Sequence, residues 1–85
     1  MYHIDFTDTA KKHFSKLEPI MQERVTKALE RIRIRPEAHI TKLVGNDSYR
    51  LRVGDYRLIL EIDLPGLIIY VTKIGHRKNI YNLKL

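Results

Sequence analysis

Cysteine is absent from this 85-residue chain, which removes disulfides, thiolate nucleophiles and thiolate metal ligands together. Such a chain suits a reducing compartment. Glycine and proline are scarce, at 4 and 3 residues, too few for a linker or a fibrous repeat. No apolar run approaches the roughly 18 residues that a membrane span needs, and Met1-Tyr2-His3-Ile4-Asp5 has neither the basic start nor the apolar stretch of a secretion signal. The expectation is a cytoplasmic protein with no membrane partner. Several kinds of site are missing too. His3, His13, His39 and His76 are scattered without metal-ligand spacing, and Glu61 and Asp63 have no evident acid partner. There is no phosphate-binding glycine loop and no nucleophile elbow. Neither a metal nor a cofactor is expected.

Acidic residues are also short, 10 against 16 Lys and Arg, for a net charge of +6. An excess of this sign suits an anionic partner such as nucleic acid or an acidic protein, although it also serves solubility. With 44% hydrophobic and 31% charged residues, the chain is globular rather than disordered. Residues 1–85 are expected to form one domain. A domain this small buries only about 60 to 65% of its unfolded surface, so its apolar residues are needed in the core.

In Met1–Phe6, Tyr2, Ile4 and Phe6 alternate, which predicts a short strand. Thr7 or Asp8 can cap a helix whose apolar positions are Ala10, Phe14 and Leu17. Pro19 opens a second helix in which Ile20, Met21, Val25, Ala28, Leu29 and Ile32 recur at helical spacing, ending before Pro36. A connection this short predicts a helical hairpin. Arg31, Arg33 and Arg35 at its end either complement the helix dipole or face an anion. Pro36–Ser48 has no sustained period, with Leu43 and Val44 expected to plug the core edge and Gly45-Asn46-Asp47 to turn.

The rest reads as sheet. Tyr49–Val53 alternates strictly, Gly54-Asp55 suits a type II′ hairpin turn, and Tyr56–Asp63 is the return strand. Leu64-Pro65-Gly66-Leu67 suits a type II turn, and Leu67–Ile74 a central strand. The fold class is α+β: an N-terminal strand, a helical hairpin, then a mainly antiparallel sheet.

A two-residue turn at Gly54-Asp55 places Arg52 directly across from Arg57, with Arg50 further along the same face. Like charges so placed destabilise a sheet, whereas the planar fork of arginine suits phosphate. Arg50 and Arg52 can instead pair with Glu61, Asp47 or Asp55. Gly75 is followed by His76, Arg77 and Lys78, which a bend can bring toward the arginines. Tyr81 is either a packed aromatic or a platform for an unpaired base. Such a face can stabilise charge on a phosphoryl group and orient a 2′-hydroxyl for in-line attack.

The run Tyr49-Arg50-Leu51-Arg52-Val53-Gly54-Asp55-Tyr56-Arg57-Leu58-Ile59, with Gly75-His76-Arg77-Lys78-Asn79-Ile80-Tyr81, resembles the RelE/ParE superfamily of toxins from prokaryotic toxin–antitoxin systems, and its RelE branch in particular. The resemblance spans essentially the whole chain. It implies a RelE-like fold and a ribosome-dependent endoribonuclease that cuts messenger RNA in the ribosomal A site. Implied partners are the ribosome and its message, an acidic RelB-like antitoxin in a toxin–antitoxin heterotetramer, and operator DNA bound through that complex.

By the same resemblance Arg57 contacts the scissile phosphate and Arg77 supports the phosphate or the leaving group. Tyr81 stacks on the substrate base, and Arg50 and Arg52 stand where the family pattern has lysines, one of them a candidate for proton transfer. Catalysis thus falls to Arg57, Arg77, Tyr81 and Arg52, and RNA binding to Arg50, Arg52, His76 and Lys78. Arginine, with a pKa above about 12, is a poor general base. Proton transfer then runs through Tyr81 or His76, or alignment and charge stabilisation carry the reaction. A ParE-like inhibitor of DNA gyrase and a catalytically silent nucleic-acid-binding domain remain open readings.

Overall fold

The computed structural model describes residues 1–45 and 47–80. Strand β1 spans His3–Phe6, followed by helices α1, Asp8–Ser15, and α2, Pro19–Ile34. After a 3₁₀ turn at Pro36–Ala38 come β2, Ile40–Lys42, β3, Tyr49–Val53, β4, Tyr56–Asp63, and β5, Ile68–His76. The strands form one five-stranded sheet in the order β1-β5-β4-β3-β2. Only β1, parallel to β5, departs from antiparallel pairing. The architecture is the expected α+β one.

Both helix starts follow from local chemistry. The Thr7 hydroxyl caps α1 by accepting the Ala10 N–H at 3.1 Å. It also lies 3.3 Å from the Val71 and Thr72 carbonyls, which ties the cap to β5. Pro19 begins α2, where a missing N–H costs nothing. Val25, Ala28, Leu29 and Ile32 of α2 are buried together with Ala10, Leu51, Val53, Leu58, Leu60, Ile69, Val71 and Ile74. The helices therefore cover one face of the sheet.

A bulge makes that face continuous. The β4–β5 register shifts between Ile59 and Leu60, so Ile59 pairs with Lys73 and Leu60 with Val71. Thr72 is left over, and its hydroxyl donates to the Ile59 carbonyl at 3.1 Å. Ile74 and Val71, three apart, consequently share the core side.

Four expectations are corrected. The aperiodic stretch after Pro36 contains β2, whose three residues are too few to show alternation. Val44 is fully exposed and plugs nothing, while Leu43 is half-buried and donates its N–H to the Ser48 carbonyl at 2.9 Å. Ile20, placed on the apolar stripe of α2, is 69% exposed. In the β4–β5 turn the left-handed residue is Leu67, φ +54, and not Gly66. The Leu67 N–H donates to the Leu64 carbonyl at 3.2 Å, so a tight turn followed by a left-handed residue replaces type II. At Gly66 a Cβ would lie 2.6 Å from Asp63 Oδ2, so a larger residue there would displace that carboxylate.

The arginine cluster at the end of α2 divides. Arg33 ion-pairs with Glu30 at 3.0 Å and donates from Nε to the Tyr2 carbonyl at 3.1 Å, fastening the N-terminus. Both Arg31 and Arg33 sit in the last turn, where cations complement the dipole.

His13 of α1 accepts the Ile74 N–H on Nδ1 at 3.1 Å, which requires that nitrogen to be unprotonated. Burial, with the Lys16 and Lys73 ammoniums adding to it, holds the imidazole below its ordinary value. The unfolded chain therefore takes up this proton at higher pH than the folded one. The stabilisation is complete above the unfolded value and is lost as pH falls through the folded one. Melting temperature is expected to fall between about pH 7.5 and about pH 5, and less steeply in His13→Gln. Equal slopes would assign the fall to other groups. At Leu67, Asn tolerates the left-handed region better, so Leu67→Asn should raise stability by about 0.5–1 kcal/mol in urea titration.

Candidate anion-binding face

The hairpin at Gly54-Asp55 has the predicted register, Val53 opposite Tyr56 and Arg52 opposite Arg57. Gly54 has φ +59 and Asp55 is not left-handed, as a type II′ turn requires. Leu51, Val53 and Leu58 belong to the helix-covered core, so alternation sends Arg50, Arg52 and Arg57 to the other face. On β5, Gly75 lies opposite Arg57 and Lys73 opposite Ile59. Lys73 thereby joins this face, a placement that depends on the bulge and that periodicity alone missed.

Arg57 is only 9% exposed, the sole charged residue counted as buried among those described. Its Nη1 donates to the Gly54 and Tyr56 carbonyls, at 3.0 Å each. A guanidinium gripping its own turn in this way is fixed before any ligand arrives. Arg77 reaches the same turn from the other end of the chain. Its backbone N–H donates to the Asp55 carbonyl at 2.8 Å, and its Nε lies 4.0 Å from Asp55 Oδ1. An ion pair that long and that exposed contributes at most about 1 kcal/mol, so the backbone bond sets the position. The turn Gly54–Tyr56 thus collects Arg57 and Arg77, and Asp55, expected in the turn or paired with Arg50 or Arg52, is the link to Arg77 instead.

Other candidates fall differently. Arg50 and Arg52 form no ion pair among the described residues, so pairing with Glu61, Asp47 or Asp55 does not occur. His76 pairs with Tyr56 across the ladder, the rings meeting edge-on at 5.6 Å and 76°. Alternation places it with Ile74 on the helix side rather than with the arginines. Its Nδ1 accepts the Lys78 N–H at 3.2 Å. Lys78 is exposed in the turn that follows. Tyr81 lies outside the described residues.

A small basic sheet with a helical hairpin on one face and a cluster of guanidiniums on the other describes a class of compact proteins with a candidate anion-binding face. Comparison narrows it. The family model for the ParE toxin of the type II toxin–antitoxin system parDE matches residues 4–81. The mRNA interferase toxin RelE of Escherichia coli K12 is 30% identical over 80 residues, covering 91% of this chain and 84% of that protein. Among solved structures, the RelBE2 toxin–antitoxin complex of Mycobacterium tuberculosis aligns with a TM-score of 0.82 at 26% identity, over 89% of this chain and 98% of that one. The intact RelBE complex of E. coli aligns at 0.77 with 31% identity, over 89% and 96%.

The chain belongs to the RelE/ParE toxin superfamily, in its RelE-like branch. The matching model carries the ParE name and the relatives the RelE name. The RelE-like branch follows from the relatives, where both the curated sequence at 30% identity and the solved complex at 31% identity carry the RelE name.

Facing arginines should leave a mark on stability. Arg52→Glu replaces repulsion across the ladder by attraction and is expected to raise stability by roughly 0.2–1 kcal/mol. A loss of stability in chemical denaturation would mean that the two side chains do not oppose each other.

Proposed function

We propose that this chain is the toxin of a type II toxin–antitoxin system, an endoribonuclease that cuts messenger RNA in the ribosomal A site. The observation that carries this reading is the convergence of Arg57 and Arg77 on one turn, beside an Arg52 with no ion-pair partner. In the proposed reaction the RNA's 2′-oxygen forms a bond to the adjacent phosphorus while the bond to the 5′-oxygen breaks. The products are a 2′,3′-cyclic phosphate and a 5′-hydroxyl. Arg57, already fixed by two carbonyls, and the more exposed Arg77 and Arg52 stabilise the charge that builds on the phosphoryl oxygens. Arg50 and Lys78 hold flanking phosphate, and Tyr81 stacks on a base.

The nucleophile belongs to the substrate and the charge to the protein, so no metal or cofactor is called for. With His76 turned to the helix side, alignment and charge stabilisation carry most of the acceleration, and proton transfer is left to Tyr81 or to solvent. The partner is an acidic antitoxin, in keeping with the +6 charge and with the RelB-bound relatives. A heterotetramer, operator binding through it, and a cytoplasmic setting complete the proposal. No helix among the described residues is long and apolar enough to cross a membrane.

The ParE name of the matching family favours one second reading, inhibition of DNA gyrase. Purified protein on programmed ribosomes decides between them. Codon-specific cuts ending in a cyclic phosphate are expected, slowed by about 10²–10³ in Arg57→Ala or Arg77→Ala. Intact message with blocked gyrase supercoiling would replace the nuclease by the gyrase inhibitor. Intact message with simple RNA retention would leave a binding module.

A further inference from the structure

Helix α2 turns a second row of cations toward the sheet. Arg24, Lys27 and Arg31, spaced by three and four, share one helix face. With His39 and the β3 segment through Arg52 and Gly54 they line a cavity of about 290 Å³. Among the described residues no carboxylate lines it. Lys27 has a partner in Glu23 at 3.1 Å, itself exposed, whereas Arg24 and Arg31 have none among the described residues. Converging cations without a counter-ion repel, so the cavity is most favourable with an anion inside.

The cavity adjoins the face already described. Arg24 Nη2 and Nη1 lie 2.9 and 3.0 Å from where a Cβ on Gly54 would stand, so the guanidinium rests on that residue. Gly54 thus takes Arg24 against its α-carbon and Arg57 on its carbonyl oxygen. The strand edge between them is open. Pairing with β2 ends at Ile40 opposite Leu51, leaving the edge of β3 away from β4 without a strand partner at Arg52 and Val53 among the described residues. A polyanion crossing Arg57 and Arg52 can pass over this edge into the cavity.

We propose that the cavity is a second phosphate subsite, which takes a non-scissile phosphodiester of the same RNA strand on Arg24 and Arg31 as positioning residues. As an RNA site it rests on the nuclease reading. An acidic peptide is the competing occupant. RNA is favoured by two forked guanidiniums, by a recess sized for a phosphate and its sugar, and by continuity with the arginine face.

The test is binding of a 2′-O-methyl single-stranded RNA, which lacks the nucleophile, over a range of salt. In Arg24→Gln/Arg31→Gln the slope of log Kd against log salt should shrink by about 0.7, one phosphate on a single strand, with binding about tenfold weaker. Lys12→Gln/Lys16→Gln removes equal charge from α1 and should keep the wild-type slope. Arg24→Lys/Arg31→Lys should restore most of the slope, which separates lost contact from lost folding. On programmed ribosomes the glutamine pair should raise KM and leave kcat in place. A glutamine pair with the wild-type slope overturns the subsite, as does one that keeps RNA but loses a polyglutamate peptide. Failure of wild-type cleavage would sink the nuclease reading instead, and the salt slope would still judge the cavity.

Discussion

The turn at Gly54–Tyr56 is the constraint on which the chemistry of this molecule depends. Its carbonyls hold Arg57 and the Arg77 backbone, and its left-handed glycine admits Arg24. Each of these contacts asks for a different property of the same few residues: an inward carbonyl, a positive φ, and no side chain at Gly54. A non-glycine residue there meets backbone strain and a guanidinium together. The glycine therefore sets the spacing of charges drawn from α2, β4 and the segment after β5.

The sheet keeps stability and binding on opposite faces. The helix-covered side buries aliphatic residues, each worth about 1.5–3 kcal/mol when fully enclosed. Against that sum, the repulsion between Arg52 and Arg57, at most about 1 kcal/mol, is tolerable. Burial of Arg57 is tolerable too, because its hydrogen bonds to carbonyls offset desolvation. The bulge at Ile59/Leu60 serves both sides, returning β5 to core register while turning Lys73 outward.

Much of this was legible in the residues. The span of α2 followed from Pro19, the periodic aliphatics and Pro36. The β3–β4 register, with Arg52 facing Arg57, followed from strict alternation and one two-residue turn. What escaped were features set by tertiary context. β2 is held by pairing with β3 rather than by its own pattern, and the left-handed residue of the β4–β5 turn is Leu67 rather than the glycine before it. The stripe Arg24, Lys27, Arg31 also escaped, because nothing local says that β3 stands across from it. His13 looked like one scattered histidine until α1 docked on β5.

The parallel pairing of β1 with β5 has a temporal consequence. His3–Phe6 finds its partners at Ile68–Val71, so the first strand stays unmatched until β5 has been synthesised. Contacts of such long sequence separation form late and slowly. A nascent chain therefore lacks the completed sheet until β5 has left the ribosome that makes it. The surface proposed here to attack translating ribosomes waits for the same strand, because Arg77 follows β5 and reaches the Gly54–Tyr56 turn only once β5 has paired with β4.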